Sequence, residues 1–336
     1  MLKVDVPLAK ELDAVEDTAR AAEAAGYDGI WTGESKSDPF LTCAIASRVT
    51  SRAILGTEIA IAFARTPMTL AQCGWDLQAY SHGRFVLGLG SQVKAHIERR
   101  FNMPWSSPAA RMRELVLAMH AIWDAWEHGT KLDFRGDFYS NTLMTPYFTP
   151  HNHGYGRPPV FLAGVGRLMT EVAGEVCDGF FMHPFTTHRY LNEVTMPALA
   201  AGRAKRGKSL EGFEVGGPAF VTVGRDDAEM AVAVEGTKAQ IAFYASTPAY
   251  RPVLEMHGWG EVSDECNRLT KEGRWAELGS VIPDEVLHAI SIVGDPASVG
   301  KGLVDRYGDA LTRLSLYSTY ESDPAIWPEV VDAIRA

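Results

Sequence analysis

The sequence predicts an α/β fold of the (β/α)8 TIM-barrel kind, built as a single domain over residues 1–336. Three observations carry this prediction. Strand-like segments recur along the whole chain with helical segments between most of them. Several are near-continuous apolar runs, as expected where a parallel sheet is covered on both faces. The first βα turn, PLAKEL, contains no glycine, whereas an open doubly wound dinucleotide-binding sheet shows an early GxGxxG. With 336 residues and 46% hydrophobic content, the chain fills a core of that size.

The first element is the alternating segment LKVDVPL, followed by Leu12, Val15, Ala19 and Ala22 at helical spacing. The turn Gly26-Tyr27-Asp28-Gly29 then leads into the apolar strand Ile30-Trp31-Thr32, which completes a βαβ unit. Strands three to eight are AILGTEIAIAF (53–63), GRFVLGLG (83–90), PPVFLAG (158–164), DGFFMHPF (178–185), FEVGGPAFVTVG (213–224) and LTRLSLYS (311–318). The echo between AAGYDGIW (24–31) and GEVCDGFF (174–181) marks the same αβ turn twice. Helix starts are predicted at Asp38-Pro39, Thr66-Pro67, Ser107-Pro108 and Asp295-Pro296, where a capping side chain precedes a proline suited to the first turn. After Pro108, a stripe of Met112, Leu115, Val116, Met119, Ile122, Trp123 and Trp126 forms the inner face of a helix packed on a sheet. Between 241 and 292 the regular spacing ends, and a helical insertion or lid between two late strands is predicted.

Lys plus Arg number 32 against 42 Asp plus Glu, a net charge of −10, which leaves no overall basic face for nucleic-acid phosphates. The widely spaced Cys43, Cys73, Cys177 and Cys266 suit free thiols. There is no long uncharged apolar run, and the early residues MLKVDVPLAKELDAVED turn acidic too soon for a signal peptide. A cytoplasmic protein with a small-molecule substrate is expected, bound to neither membrane nor nucleic acid. His151 and His153 sit in a loop with no third ligand nearby in sequence, so no metal is expected.

In a barrel the site lies at the C-terminal ends of the strands. That filter leaves Glu34 after strand two, Glu58 within strand three with Arg65 beyond it, and Ser91, Gln92 and His96 after strand four. It also leaves the stretch from Gly164 to Arg167 after strand five and His183 after strand six. Glu58 stands in an otherwise apolar strand, where a buried carboxylate costs several kcal/mol unless paired or protonated. Ala163, Gly164, Val165 and Gly166 run from a strand into a helix, leaving N–H groups free to hold an anion. His183 and His96 are the leading candidates for the catalytic proton donor, because a histidine near its unperturbed pKa serves in either direction at neutral pH. Glu34 and Glu58 are the other acids available for that role. The remaining histidines, among them His82, His120, His128, His257 and His288, fit turns or helix surfaces.

Taken together, GYDGIWTGE, LGTEIAIAFARTPMTLAQ, SHGRFVLGLGSQ and LAGVGRLMTEVAGEVCDGF resemble the luciferase-like monooxygenase superfamily, and most closely its coenzyme F420-dependent oxidoreductase branch. The resemblance covers nearly the whole chain. It implies a TIM barrel with a deazaflavin at the strand ends, and hydride transfer between C5 of that deazaflavin and an organic substrate; FMN is the alternative cofactor. It further implies a non-prolyl cis peptide at Glu58-Ile59 backing the cofactor ring, a phosphate site over Ala163, Gly164, Val165 and Gly166, Ser91 bordering the cofactor, and a homodimer. The sugar-phosphate dehydrogenases of the branch carry an acid followed by histidine after strand two and an acid after strand four. Here Glu34 is followed by Ser35, and Val93 stands at the second position, so glucose-6-phosphate oxidation is not expected. The rival readings are an FMN-dependent monooxygenase, a barrel hydrolase pairing Glu34 with Glu58, and a protein that binds the cofactor without turnover.

Overall fold

The computed structural model of the chain describes residues 2–8 and 11–336. Eight parallel strands form the core: β1 (Lys3–Pro7), β2 (Gly29–Thr32), β3 (Ile54–Thr57), β4 (Phe85–Gly90), β5 (Val160–Ala163), β6 (Gly179–Phe181), β7 (Glu214–Gly216 and Pro218–Val223) and β8 (Arg313–Tyr317). They pair in the order β6-β5-β4-β3-β2-β1-β8-β7. The first part of β7 pairs β6 and the second pairs β8. The bonds Thr312 N–H to Val215 O and Ser315 N–H to Gly217 O knit β7 to the start of β8. The sheet therefore curls round on itself as a TIM-type barrel, as the sequence predicted.

The predicted caps are present at three of the four helix starts. Asp38 accepts from Phe40 N–H at α2 (Pro39–Val49), Thr66 forms a capping box with Thr69 at α3 (Pro67–Tyr80), and Asp295 caps the helix Pro296–Tyr307. Ser107 does not cap its helix (Pro108–His128). It takes a left-handed backbone, φ 39°, and its hydroxyl makes no capping bond. That helix nonetheless buries the whole predicted stripe from Met112 to Trp126, with Trp123 Nε1–H donating to Ala71 O on α3.

The boundaries expected late in the chain are corrected. Helix begins at Asp227 rather than 241, continues through several helices to Ile290, and is followed by a short strand, Ile292–Gly294. That strand was unrecognised in the sequence and pairs parallel with the end of β7. Asp226 capping Glu229 N–H sets the earlier start. His120, expected on a helix surface, is instead part-buried with its Nε2 sealed and unpartnered. All four cysteines are free thiols.

Inside the barrel, side chains at alternate strand positions stack in layers. Trp31, Val86, Phe161 and Phe181 make one apolar layer, with Trp31 edge-on to Phe181 at 5.1 Å. A Cβ at Gly56 would strike the Trp31 ring, so glycine there admits the indole. Asp5 and Arg313, each no more than 3% exposed, form a bidentate ion pair in the interior. Asp5 of β1 and Arg313 of β8 thus point inward.

Candidate active site

The strand ends β2 to β6 bring most of the predicted residues to one end of the barrel. After Thr57 the chain leaves β3, passes through a cis peptide at Glu58-Ile59 and resumes pairing with β4 at Ala60–Ile61. Glu34 braces this bulge. Its N–H donates to Ile59 O at 3.0 Å, and its Oε2 accepts from Ile61 N–H at 2.7 Å and from Arg65 Nη1 at 2.6 Å. Arg65 also reaches Asp38, the cap of α2, at 2.9 Å. Glu34, an expected proton donor, is thus a salt-bridged clamp, because the bulge supplies an N–H and a guanidinium that a carboxylate satisfies. Arg65 is likewise committed and is no free anion receptor.

Glu58 as a residue is only part-buried, but its Oε1 is sealed from solvent and has no hydrogen-bond partner. Burial first, then the nearby Asp5 charge, raises its carboxyl to about 8, against a weaker opposing pull from Arg313. It is the one predicted carboxyl left unclamped. Beside the bulge, Gly90 lies so close to Ile59 that a Cβ would meet its side chain at 2.8 Å. Ser91 follows at the end of β4 with its hydroxyl on Gln92 O.

At the end of β5, Ala163 to Gly166 lead into α6 (Arg167–Val176), whose start carries no side-chain cap. The N–H groups of Arg167, Leu168 and Met169 have no carbonyl or side-chain acceptor among the described residues, the donors that a helix start without a side-chain cap leaves free. Gly166 takes φ +83° with open space where a Cβ would stand. A Cβ at Gly164 would instead strike Met169 Cγ at 2.8 Å. The two glycines therefore differ: Gly164 packs the turn onto α6, while Gly166 shapes its open rim. Arg167, exposed at the first position of α6, gives a cleaner test than either glycine. Arg167→Glu is expected to leave stability unchanged or slightly higher, since acids suit a helix N-terminus, while weakening binding of an anionic ligand roughly tenfold. Thermal melting and ligand titration of the same sample check both halves.

Ala163 pairs with Phe181, so the chain just beyond β6 lies beside this cradle. There His183 is held between Tyr250 (4.5 Å) and Tyr244 (4.7 Å, edge-on). Its Nδ1 accepts from Phe185 N–H at 3.1 Å, which assigns the proton of the neutral ring to Nε2. Burial lowers its pKa to about 4, so at neutral pH the ring is an uncharged Nε2–H donor. The Tyr244 and Tyr317 hydroxyls share a hydrogen bond of 2.8 Å next to it. His96 is not brought in: it is exposed on the short helix Lys94–Arg99 and makes no side-chain bond among the described residues.

The sequence reading missed Tyr244, Tyr250 and the Asp5–Arg313 pair. Both tyrosines come from the helical segment after β7, and no short-range pattern links them to His183. Asp5 and Arg313 carried the same signal as Glu58, a charge inside an apolar strand. No helix is long and apolar enough to cross a membrane among the described residues.

The family model described as luciferase-like monooxygenase matches residues 3–313. An uncharacterized protein of Mycobacterium tuberculosis (strain ATCC 25618 / H37Rv) is 50% identical over 313 residues, covering 93% of this chain and 92% of its own. The 5,10-methylenetetrahydromethanopterin reductase of Archaeoglobus fulgidus is 26% identical over 293 residues, covering 85% and 83%. Among solved structures, coenzyme F420-dependent tetrahydromethanopterin reductase from Methanopyrus kandleri superposes with a TM-score of 0.77 at 19% identity, covering 98% of this chain and 96% of that one.

Proposed function

The chain belongs to the luciferase-like monooxygenase family, and from that premise we propose that it is a coenzyme F420-dependent oxidoreductase acting on a small uncharged organic substrate. The observation that supports this reading is the placement of an open anion cradle and a part-buried, neutral histidine on adjacent strand ends of one barrel mouth. Ala163, Gly164, Val165 and Gly166, with the free N–H groups of α6, fit the phosphate of such a cofactor. Ile59 and the bulge braced by Glu34 provide an apolar seat for its ring, with Ser91 at the border. Bound there, a deazaflavin supplies the hydride acceptor or donor of the reaction.

The chain's own residues supply the rest. Tyr244 and Tyr250 pack against His183 and Phe185 packs against Tyr244, and such aromatic surroundings strengthen a hydrogen bond made beside them. His183 Nε2–H donates a hydrogen bond to the substrate oxygen and stabilises the negative charge on it as the hydride moves, the balancing proton being exchanged with solvent. The cluster of His183, Tyr244, Tyr250, Tyr317 and Phe185 contains no cationic side chain, which favours a neutral substrate over a phosphorylated one.

Titrating the protein with F420 and with FMN tests the reading directly: saturable binding of F420 is expected, and binding of FMN alone would replace it with a flavin enzyme. For this hydrogen bond, His183→Ala is expected to slow single-turnover hydride transfer roughly 100-fold with cofactor affinity little changed. A normal rate in that variant would remove His183 from the chemistry.

A further inference from the structure

This inference rests on the cofactor reading above and concerns the carboxyl that reading leaves unassigned. Gly56 faces the barrel interior, where a Cβ would strike the Trp31 ring, and Glu58, in the bulge just beyond the end of β3, lies within electrostatic reach of the interior pair Asp5 and Arg313. Its sealed Oε1 has no partner. The charged groups facing it are Asp5 from β1 and Arg313 from β8.

Arg313 is already committed. Its guanidinium donates to both Asp5 oxygens at 2.7 and 3.0 Å and to Glu214 Oε2 at 2.9 Å, while Lys3 Nζ holds Glu214 Oε1 at 2.8 Å. Two cations and two anions therefore balance without Glu58. From β2 comes Trp31, whose Nε1 is also buried and unpartnered; the rest of that layer, Val86, Phe161 and Phe181, is apolar. Glu34, which braces the same bulge, is paired with Arg65. An ionised Glu58 would thus be a part-buried charge with no counter-ion of its own, beside the apolar seat that the cofactor ring would cover.

We propose that Glu58 makes cofactor binding proton-linked: its carboxyl is neutral beside the seat, and a cofactor ring covering it takes away its remaining water and draws one proton from solvent onto any Glu58 that has ionised. The only bond made is the carboxyl O–H, and the buffer acid supplies the proton. Because the free carboxyl titrates at about 8, the uptake is small near neutrality and grows above that value. Affinity then falls as pH rises, by up to tenfold per unit.

The test is calorimetric titration of the full-length protein with F420, and with FMN, in two buffers of different ionisation heat, at about pH 7 and about pH 9. Uptake approaching one proton is expected at the higher pH, and binding by Glu58→Gln is expected to be free of both the uptake and the pH dependence. Infrared spectra of the ligand-free wild type provide a second readout: a protonated-carboxyl C=O band that bleaches as pH passes about 8 and is absent from Glu58→Gln. Binding with no proton uptake, or uptake that persists in Glu58→Gln, overturns the inference alone. Failure of both cofactors to bind overturns the functional reading, and the proton linkage falls with it.

Discussion

Asp5→Ala is expected to destabilise the protein by about 3–5 kcal/mol, the cost of breaking a buried ion pair and leaving its partner uncompensated. Arg313 would keep a single carboxylate, Glu214, which is itself shared with Lys3. Its guanidinium also lies 4.8 Å from the Trp31 ring, so the loss spreads into the apolar layer beneath the site. Urea unfolding of the variant checks the magnitude, and a change within 1 kcal/mol would show that the pair is dispensable. Asp5→Asn separates charge from shape. Since Asp5 holds the Glu58 carboxyl up while Arg313 pulls it down, this variant is expected to lower the titration of Glu58, whereas a purely structural role for Asp5 would leave that titration in place.

Such a pair explains what was legible in the sequence and what was not. The barrel was readable because each strand announces itself locally, by apolar runs such as VLGLG and by Asp-Gly turns, and because Asp38, Thr66 and Asp295 carry their capping chemistry in adjacent residues. Ser107 failed that rule because a left-handed backbone takes its hydroxyl away from the helix. In the site, Glu58 stood out as a charge in an apolar strand, and the cradle from Ala163 to Gly166 stood out by its glycines. The roles of Glu34 and His96 were not legible. Whether a carboxylate is free or clamped depends on Arg65 and on the N–H of Ile61, and whether a histidine enters the barrel mouth depends on the direction of a short helix. The setting of His183 required Tyr244 and Tyr250, which tertiary structure alone brings to it.

The same buried groups set a pH profile of stability with opposed arms. Glu58 is raised from 4.5 to about 8, so the folded chain holds a proton that the unfolded chain has lost. Its contribution is full below about pH 4.5 and is lost as pH rises through 8, up to about 5 kcal/mol in all. His183 is lowered from 6.5 to about 4, so its contribution is full above about pH 6.5 and is lost as pH falls through 4, up to about 3 kcal/mol. Burial lowers His120 in the same sense. Between about pH 4.5 and 6.5 the two arms oppose each other, whereas from about 6.5 to 8 Glu58 acts without the histidines. There the wild type is expected to lose stability at up to about 1.4 kcal/mol per pH unit, roughly 2 kcal/mol across the window. Glu58→Gln is expected to be level over that window while keeping the histidine-driven loss on the acid side. Denaturant unfolding at half-unit pH steps distinguishes the cases: a level wild-type curve above pH 6.5 would place the Glu58 proton outside the folding equilibrium, and a slope shared by Glu58→Gln would assign it to another group.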